Sequence, residues 1–539
     1  MRAIALTLFL LVLGARVAGA QHDAHPATPS AKLGTVHFAT SCRVDAAPQF
    51  DRAVALLHSF EFGEAIPSFQ QIAARDSTCA MAHWGIALGY WSNPLAPGAR
   101  SVAQLEAGRK TVERARSASA HATARERAYI DAVGQLYARY DSVPQRARVV
   151  AYERAMQLVA RDNPDDSEAQ IFHALALLAA ADPADKTYAN QLTAAATLER
   201  LYATQPNHPG LTHYLIHAYD APPLASRGVD AARRYSTIAP DAAHALHMPS
   251  HIFTRVGSWD ASIESNTRAI ASAKAEGSMA EALHASDYSE YAYLQTGQDS
   301  AARAIRDGLP AIVAKWDSKA IGTGAPPAAG FFALASIPAR YALERRAWPE
   351  AAALTSTRST IPWVESATHF ARGLGAAHGG DLATARASLD TLGQLRGRLV
   401  AAGESYWAEQ LAIQELDVRA WLTHAEHRDD DALAALREAS TREDATEKSV
   451  ITPGPLIPAR ELLGDLLLEL HQPAAALAEY RRTLAKEPNR FRALYGAMSA
   501  ATLTGDRPAA KEYAARLRTT CARGDADGRV ELSEIRALR

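Results

Sequence analysis

An all-α fold is predicted for this 539-residue chain by three observations. Ala, Leu, Glu and Arg dominate, and aromatic residues make up only 7%; this is the composition of helices rather than sheets. A pattern of small, aromatic and proline residues recurs at the spacing of helical hairpins. The third observation is a pair of pairs: His213 and His217 stand in an i, i+4 relation, and thirty-four residues on, His247 and His251 repeat it. Equal offsets in successive two-helix repeats place side chains next to one another on one wall of a solenoid. The histidine-bearing stretch is therefore the expected functional region, and the rest of the chain its scaffold.

The first twenty residues carry one early cation, Arg2, an apolar run from Ala3 to Leu13, and the small residues Ala18-Gly19-Ala20. This reads as a secretory signal peptide cleaved after Ala20, since the run is short for a membrane span. The expectation is an exported protein, periplasmic or extracellular, that does not insert into a membrane. Residues 21–44 are read as a flexible lead. A formal net charge of -2 gives no attraction to nucleic acid, which is excluded as a partner. Cys42, Cys79 and Cys521 are the cysteines present. In an oxidising compartment the expected bond joins Cys42 to Cys79 and leaves Cys521 free.

The clearest repeat begins at Ile457 and continues through Leu463-Gly464, Leu467, Ala476, Tyr480, Leu484 and Pro488. Gly464 and Ala476 stand where the two helices of a hairpin approach closely, and Pro488 closes the second helix. Thr483 occupies a place where a small alanine is usual. More degraded copies include Phe60 to Arg75 with Ala65 and Phe69; Gly257, Trp259, Ile263 and Ala269; and Gly380, Leu382, Ala385 and Leu389. Others lie around Ala347 to Ala353, Asp430 to Ala439 and Gly505 to Leu517. The glycines and prolines between Ile321 and Gly330 break the pattern, as do Thr452-Pro453-Gly454-Pro455. The predicted organisation is helical repeats over 45–320, central repeats over 331–451, C-terminal repeats over 456–520 and a polar tail over 521–539.

On these residues the chain resembles exported bacterial tetratricopeptide repeat (TPR) proteins over most of residues 45–520. The stretches Cys79 to Gly85, His213 to Asp220 and His244 to Phe253 are similar to those of a histidine-rich group within that superfamily. The resemblance implies a tetratricopeptide-type α-solenoid of helical hairpins and, loosely, binding of a protein, peptide or small-molecule ligand. It also implies that first-helix offsets line a concave groove. On that reading His213, His217, Asp220, His244, His247, His251 and His284 are the candidate groove residues, with His208 at the edge, Asp287 beside His284, and His83 a lesser candidate.

Imidazoles one helical turn apart point the same way and can share a metal ion. A pair from each of two helices, His213, His217, His247 and His251, would supply four nitrogens suited to Zn, Cu or Fe, with Asp220 a ligand or a partner that orients a ring. Two readings follow: a groove that recognises a ligand through its histidine wall, or a metal-dependent enzyme housed in the same groove. Pro249 either kinks the second helix beside the histidines or starts a helix there. Tyr214, Tyr219, Trp259, Tyr288, Tyr291 and Tyr293 accompany the cluster as inter-helix packing. Residues 523–534 are similar to a calcium-binding EF-hand loop, but Arg523 fills the first ligand place, which leaves a solvated polar tail as the competing reading. Gly-rich phosphate loops, Gly-x-Ser-x-Gly elbows and His-Glu-x-x-His helices are missing from the sequence.

Overall fold

Between Ala459 and Lys486 the reason the repeats fold as hairpins is plain. Helices Ala459–Glu469 and Pro473–Lys486 meet where Gly464 leaves room for the Tyr480 ring, which a β-carbon at Gly464 would approach to 2.8 Å. Tyr480 is fully buried and donates its hydroxyl to Asp465 at 2.6 Å. Thr483 fits the place of a small alanine because its hydroxyl donates to the carbonyl of Glu479, 3.2 Å away, so burial leaves no donor unpaired.

The computed structural model describes residues 31–537 except 97, 357–359 and 527; the signal-peptide reading therefore falls outside the described residues. Among these, helices follow one another with no strand, in the order expected of an α-solenoid. Antiparallel pairs include Trp259–Ala275 with Met279–Gln295, Pro362–His378 with Leu382–Ala401, Ser405–Ala425 with Asp429–Asp444, and Phe491–Leu503 with Arg507–Thr520. Residues aligned at Ala269, Ala385, Ala476 and Ala439 are buried at the helix contacts. No helix among the described residues is long and apolar enough to cross a membrane.

Late repeats fold back onto earlier ones. Trp259 Nε1 donates to the carbonyl of Asn489 at 2.8 Å, and Arg490, fully buried, reaches Glu461, Glu344 and the hydroxyl of Tyr291. Gly257, with φ +67°, sits so close to the carbonyl of Pro488 that a β-carbon would lie 2.1 Å from that oxygen; only glycine permits both the conformation and the contact.

Residues from Lys32 form one compact unit, and the stretch 321–326 is non-helical. Two expectations about chain organisation are corrected. The lead read as flexible up to residue 44 is tied down from Lys32: its Thr35 N–H donates to the Asn207 carbonyl, and Phe38, 2% exposed, packs on Phe50, Trp84 and Tyr129. Apolar side chains at Phe38 and Leu33 draw it onto the first repeats. The C-terminal segment is likewise docked, because helix Val530–Ala537 buries Leu532 and Ile535. Its carboxylates face protein donors: Asp525 accepts from the Ser300 N–H and Glu531 pairs with Arg492, while Asp527 lies outside the described residues. Cys42 and Cys79 are bonded, with Cα atoms 4.7 Å apart, and Cys521 is free and buried.

Candidate metal centre

Helix Pro209–Tyr219 begins on Pro209, whose missing N–H costs nothing at a first helical position. It carries His213 and His217 on one face, and Asp220 ends it. The next unit is interrupted at Met248, giving helices Ala243–His247 and Pro249–Arg255. Pro249 thus opens a second short helix and also accounts for the break after His247. His284 comes from helix Met279–Gln295.

These helices assemble two clusters rather than one four-nitrogen site. His213, His217 and His244 form the first, and His247, His251 and His284 the second, with one ligand atom of each residue within 4.8 Å of the others in its cluster. The predicted set of His213, His217, His247 and His251 is corrected accordingly. Each i, i+4 pair stays together, its Nε2 atoms 3.1 Å apart in both clusters, and its third member, His244 or His284, comes from outside the repeat relation. Two nitrogens each about 2.0–2.1 Å from a shared ion, with bonds roughly 100° apart, stand about 3.1 Å from each other.

The outer nitrogens are held by acceptors. His213 Nδ1 donates to the His58 carbonyl at 2.6 Å, His244 Nδ1 to Glu281 at 3.1 Å, His247 Nδ1 to Asn266 Oδ1 at 2.7 Å and His251 Nδ1 to Asp220 at 2.9 Å. Asn266 gives its amide N–H to the Ser262 carbonyl, which assigns its oxygen to the histidine. In these tautomers the Nε2 atoms carry lone pairs, the arrangement that partners of metal-bound histidines impose. His244 Nε2, His217 Nδ1 and His284 Nδ1 have no hydrogen-bond partner although buried.

Burial disfavours the charged form of five of these rings. Burial pushes His213, His217 and His247 well below the ordinary imidazole range, reinforced by neighbouring rings, and lowers His251 to about 4 and His284 to about 3. Burial pushes the Asp220 carboxyl up, but Lys448 and Arg255 outweigh it and hold the group ionised. Asp220 accepts from Arg255 Nε at 2.8 Å and from Lys448 Nζ at 2.9 Å. It is therefore a hub that orients His251, not a member of either cluster.

The expected open groove is also corrected. His213 and His247 are 0% exposed, His251 1%, His244 3% and His284 4%. Non-helical segments of the chain cover them. Thr323 Oγ1 and the Ala325 N–H both donate to Glu281, and the Asn93 side chain donates to the Gly324 carbonyl. On the other side Lys448 reaches Asp220, and Tyr288, edge-on to His247 and tilted against His251, donates its hydroxyl to the Thr452 carbonyl. Phe60 lies over the first cluster, 4.4 Å from the His213 ring centroid, on a backbone of φ +56°, a conformation that a bulky residue adopts only where its surroundings impose it.

One face remains approachable. A cleft of about 400 Å³ has His217, Asp220 and Lys448 among its lining residues, together with Arg146, Tyr188 and Gln191, and its rim includes the exposed residues Gly98 and Asp182.

Other candidates fall elsewhere. His208 shares the Glu168 carboxylate with His58, both Nε2 atoms 2.9 Å from it, and the second His58 nitrogen is taken by the Tyr214 hydroxyl. With both Glu168 oxygens engaged, this trio is a buttress whose His58 carbonyl orients His213. Asp287 pairs with Arg340 and Ser336, away from the rings, and His83 lies on helix Ala80–Trp91 outside both clusters. Cys42 and Cys79 are bonded to each other, so their group with Asp76 offers no free thiolate. His58, Glu168, Asn266, Glu281 and Lys448 escaped the sequence reading, since none shares the thirty-four-residue relation; the break at Thr452 to Pro455 was the one signal near Lys448.

No family model matches the sequence, and no curated protein matches it. Among solved structures the chain is similar to human IFIT1 in a dimer with m7Gppp-AAAA, at 11% identity and a TM-score of 0.37, covering 89% of this chain and 96% of that one. A monomeric IFIT1 mutant with Gppp-AAAA gives 12% identity and a TM-score of 0.37, covering 86% and 97%. The P58(IPK) TPR domain gives 9% identity and a TM-score of 0.22, covering 86% and 99%.

Proposed function

We propose that this α-solenoid is a metalloprotein that holds one transition-metal ion in each three-histidine cluster and acts on a small ligand entering the cleft at His217. One observation carries the reading. His247 and His251 both donate through Nδ1, to Asn266 and Asp220, so two Nε2 lone pairs face each other at 3.1 Å in a buried site. A cation between them relieves that repulsion. A proton is a poor candidate, because burial holds both rings neutral, whereas a metal ion converts both lone pairs into bonds.

The reading favours the metal-dependent enzyme over recognition of a protein or peptide by an open histidine wall. Buried rings offer a partner no surface, and a cleft of about 400 Å³ suits a small molecule. Zn, Cu and Fe all accept imidazole. An open coordination position on the ion at His213, His217 and His244 would face the cleft through His217. Export to an oxidising compartment accompanies the proposal, supported by the apolar run at the N-terminus and the bonded Cys42–Cys79 pair.

The test is metal analysis of tag-free protein reconstituted separately with Zn, Cu and Fe and then desalted. The expected content is one ion for each cluster, with His244→Ala and His284→Ala each losing one. Protein that retains no ion from any of the three solutions refutes the proposal.

A further inference from the structure

The two clusters adjoin each other. Across their boundary the His217 and His251 ring centroids are 6.1 Å apart, and those of His244 and His247 6.2 Å, whereas His251 and His284 within one cluster are 6.0 Å apart. The six rings form one continuous array, so ions held in the two clusters would be neighbours, the arrangement that a ligand bridging two metals needs.

The charge of the surroundings selects among ions. All six ring ligands are imidazoles, donors that bring no negative charge to an ion, and no carboxylate belongs to either cluster. Two carboxylates touch the rings from outside, Glu281 at His244 and Asp220 at His251, and Asp220 is already matched by Arg255 and Lys448. Each ion therefore carries its charge into the interior with little to neutralise it. The cost of burying a charge rises with its square, roughly fourfold from a monovalent to a divalent ion. Three imidazoles around a monovalent ion match copper(I), which accepts low coordination numbers and nitrogen donors. Phe60 and Tyr288, packed on the first and second clusters respectively, shield the rings from water.

We propose that the array is a dinuclear copper centre that binds dioxygen between its two ions, reached through the cleft at His217; this rests on the metal-binding reading above. Each copper(I) gives up one electron, and dioxygen takes both to become a bridging peroxide dianion. Copper–oxygen bonds form, the oxygen–oxygen bond is retained, and no proton moves. The product pairs two copper(II) ions through one bridge. Its two positive charges beyond those of the reduced state are met by the dianion, so oxidation does not add net charge to the buried site.

The experiment loads the full, tag-free chain with copper(I) under argon, counts the copper, and then admits dioxygen while recording absorption and electron paramagnetic resonance spectra. The expected result is one copper in each cluster, an intense near-ultraviolet peroxide-to-copper charge-transfer band on admitting dioxygen, and no resonance signal, because the bridged copper(II) spins cancel. Full copper loading followed by two isolated copper(II) signals, or by no spectral change in air, overturns the dinuclear proposal and leaves metal binding standing. Failure to bind copper while zinc or iron is retained does the same; failure to bind any of the three removes both readings. His284→Ala, or His284→Gln should the first variant not fold, is expected to keep one copper and lose the band. A band that persists in a folded variant overturns the proposal.

Discussion

His247 and His251 present Nε2 atoms 3.1 Å apart, while Asn266 and Asp220 engage their Nδ1 atoms. The relation means that the lone-pair arrangement is set by residues outside the cluster. Asn266→Ala frees His247 to rotate or change tautomer, so affinity for the ion of the second cluster is expected to fall about 10- to 100-fold. Competition against a chelator, on His244→Ala protein in which only the second cluster binds, measures this. Unchanged affinity would mean that Asn266 does not fix the ring.

Gly324 bears on the first cluster. A β-carbon there would lie 2.3–2.5 Å from ring atoms of His244, so Gly324→Ala must displace either the ring or the covering strand of chain. The expected outcome is loss of the first-cluster ion together with a destabilisation of about 1–3 kcal/mol, read by metal content and by thermal melting of the metal-free protein. Full metal content in the variant would show that the covering segment yields instead.

Asp417 provides a pH test remote from the histidines. It is 1% exposed, with Oδ1 lacking a hydrogen-bond partner, and burial, assisted by Glu443, pushes its carboxyl well above the usual range. The folded protein therefore keeps a proton that the unfolded chain releases near pH 3.9. Asp417 costs nothing below that pH, and its penalty grows as pH rises toward the folded value. Asp417→Asn is expected to leave stability nearly unchanged at pH 4 and to raise it by about 1–3 kcal/mol at pH 8. Denaturant melts at the two pH values check this; an equal effect at both would remove titration as the cause.

The Cys42–Cys79 bond closes a loop with a sequence separation of 37 and pins the segment that carries Phe38. Chain-entropy arguments give about 4 kcal/mol for a loop of this length. Cys42→Ser is expected to lose stability of this order relative to the oxidised protein and to match reduced wild-type protein in melting temperature. A variant as stable as the oxidised protein would show that packing alone holds the segment.

The sequence by itself determined the helical class, the hairpin at Gly464, Ala476 and Tyr480, and the i, i+4 histidine pairs, because each depends on local periodicity or on residue chemistry at short spacing; it raised the Cys42–Cys79 bond as an expectation that the fold then bears out. It could not show that the pairs belong to different clusters. That is decided by His244 and His284, whose places in space follow from how successive helices are rotated and packed, and by Asn266, Glu281 and the His58 carbonyl, the last 155 positions from His213 in the chain. Nor could repeat periodicity show that the wall is buried. Residues 321–326 fall in one break of the helical pattern and residues 446–452 run up to the other, where sequence offers only punctuation, and the tertiary fold lays them across the rings because Glu281 and Asp220, buried with charge, must find donors there. Local pattern sets what a helix presents; long-range satisfaction of buried polar groups decides what meets it.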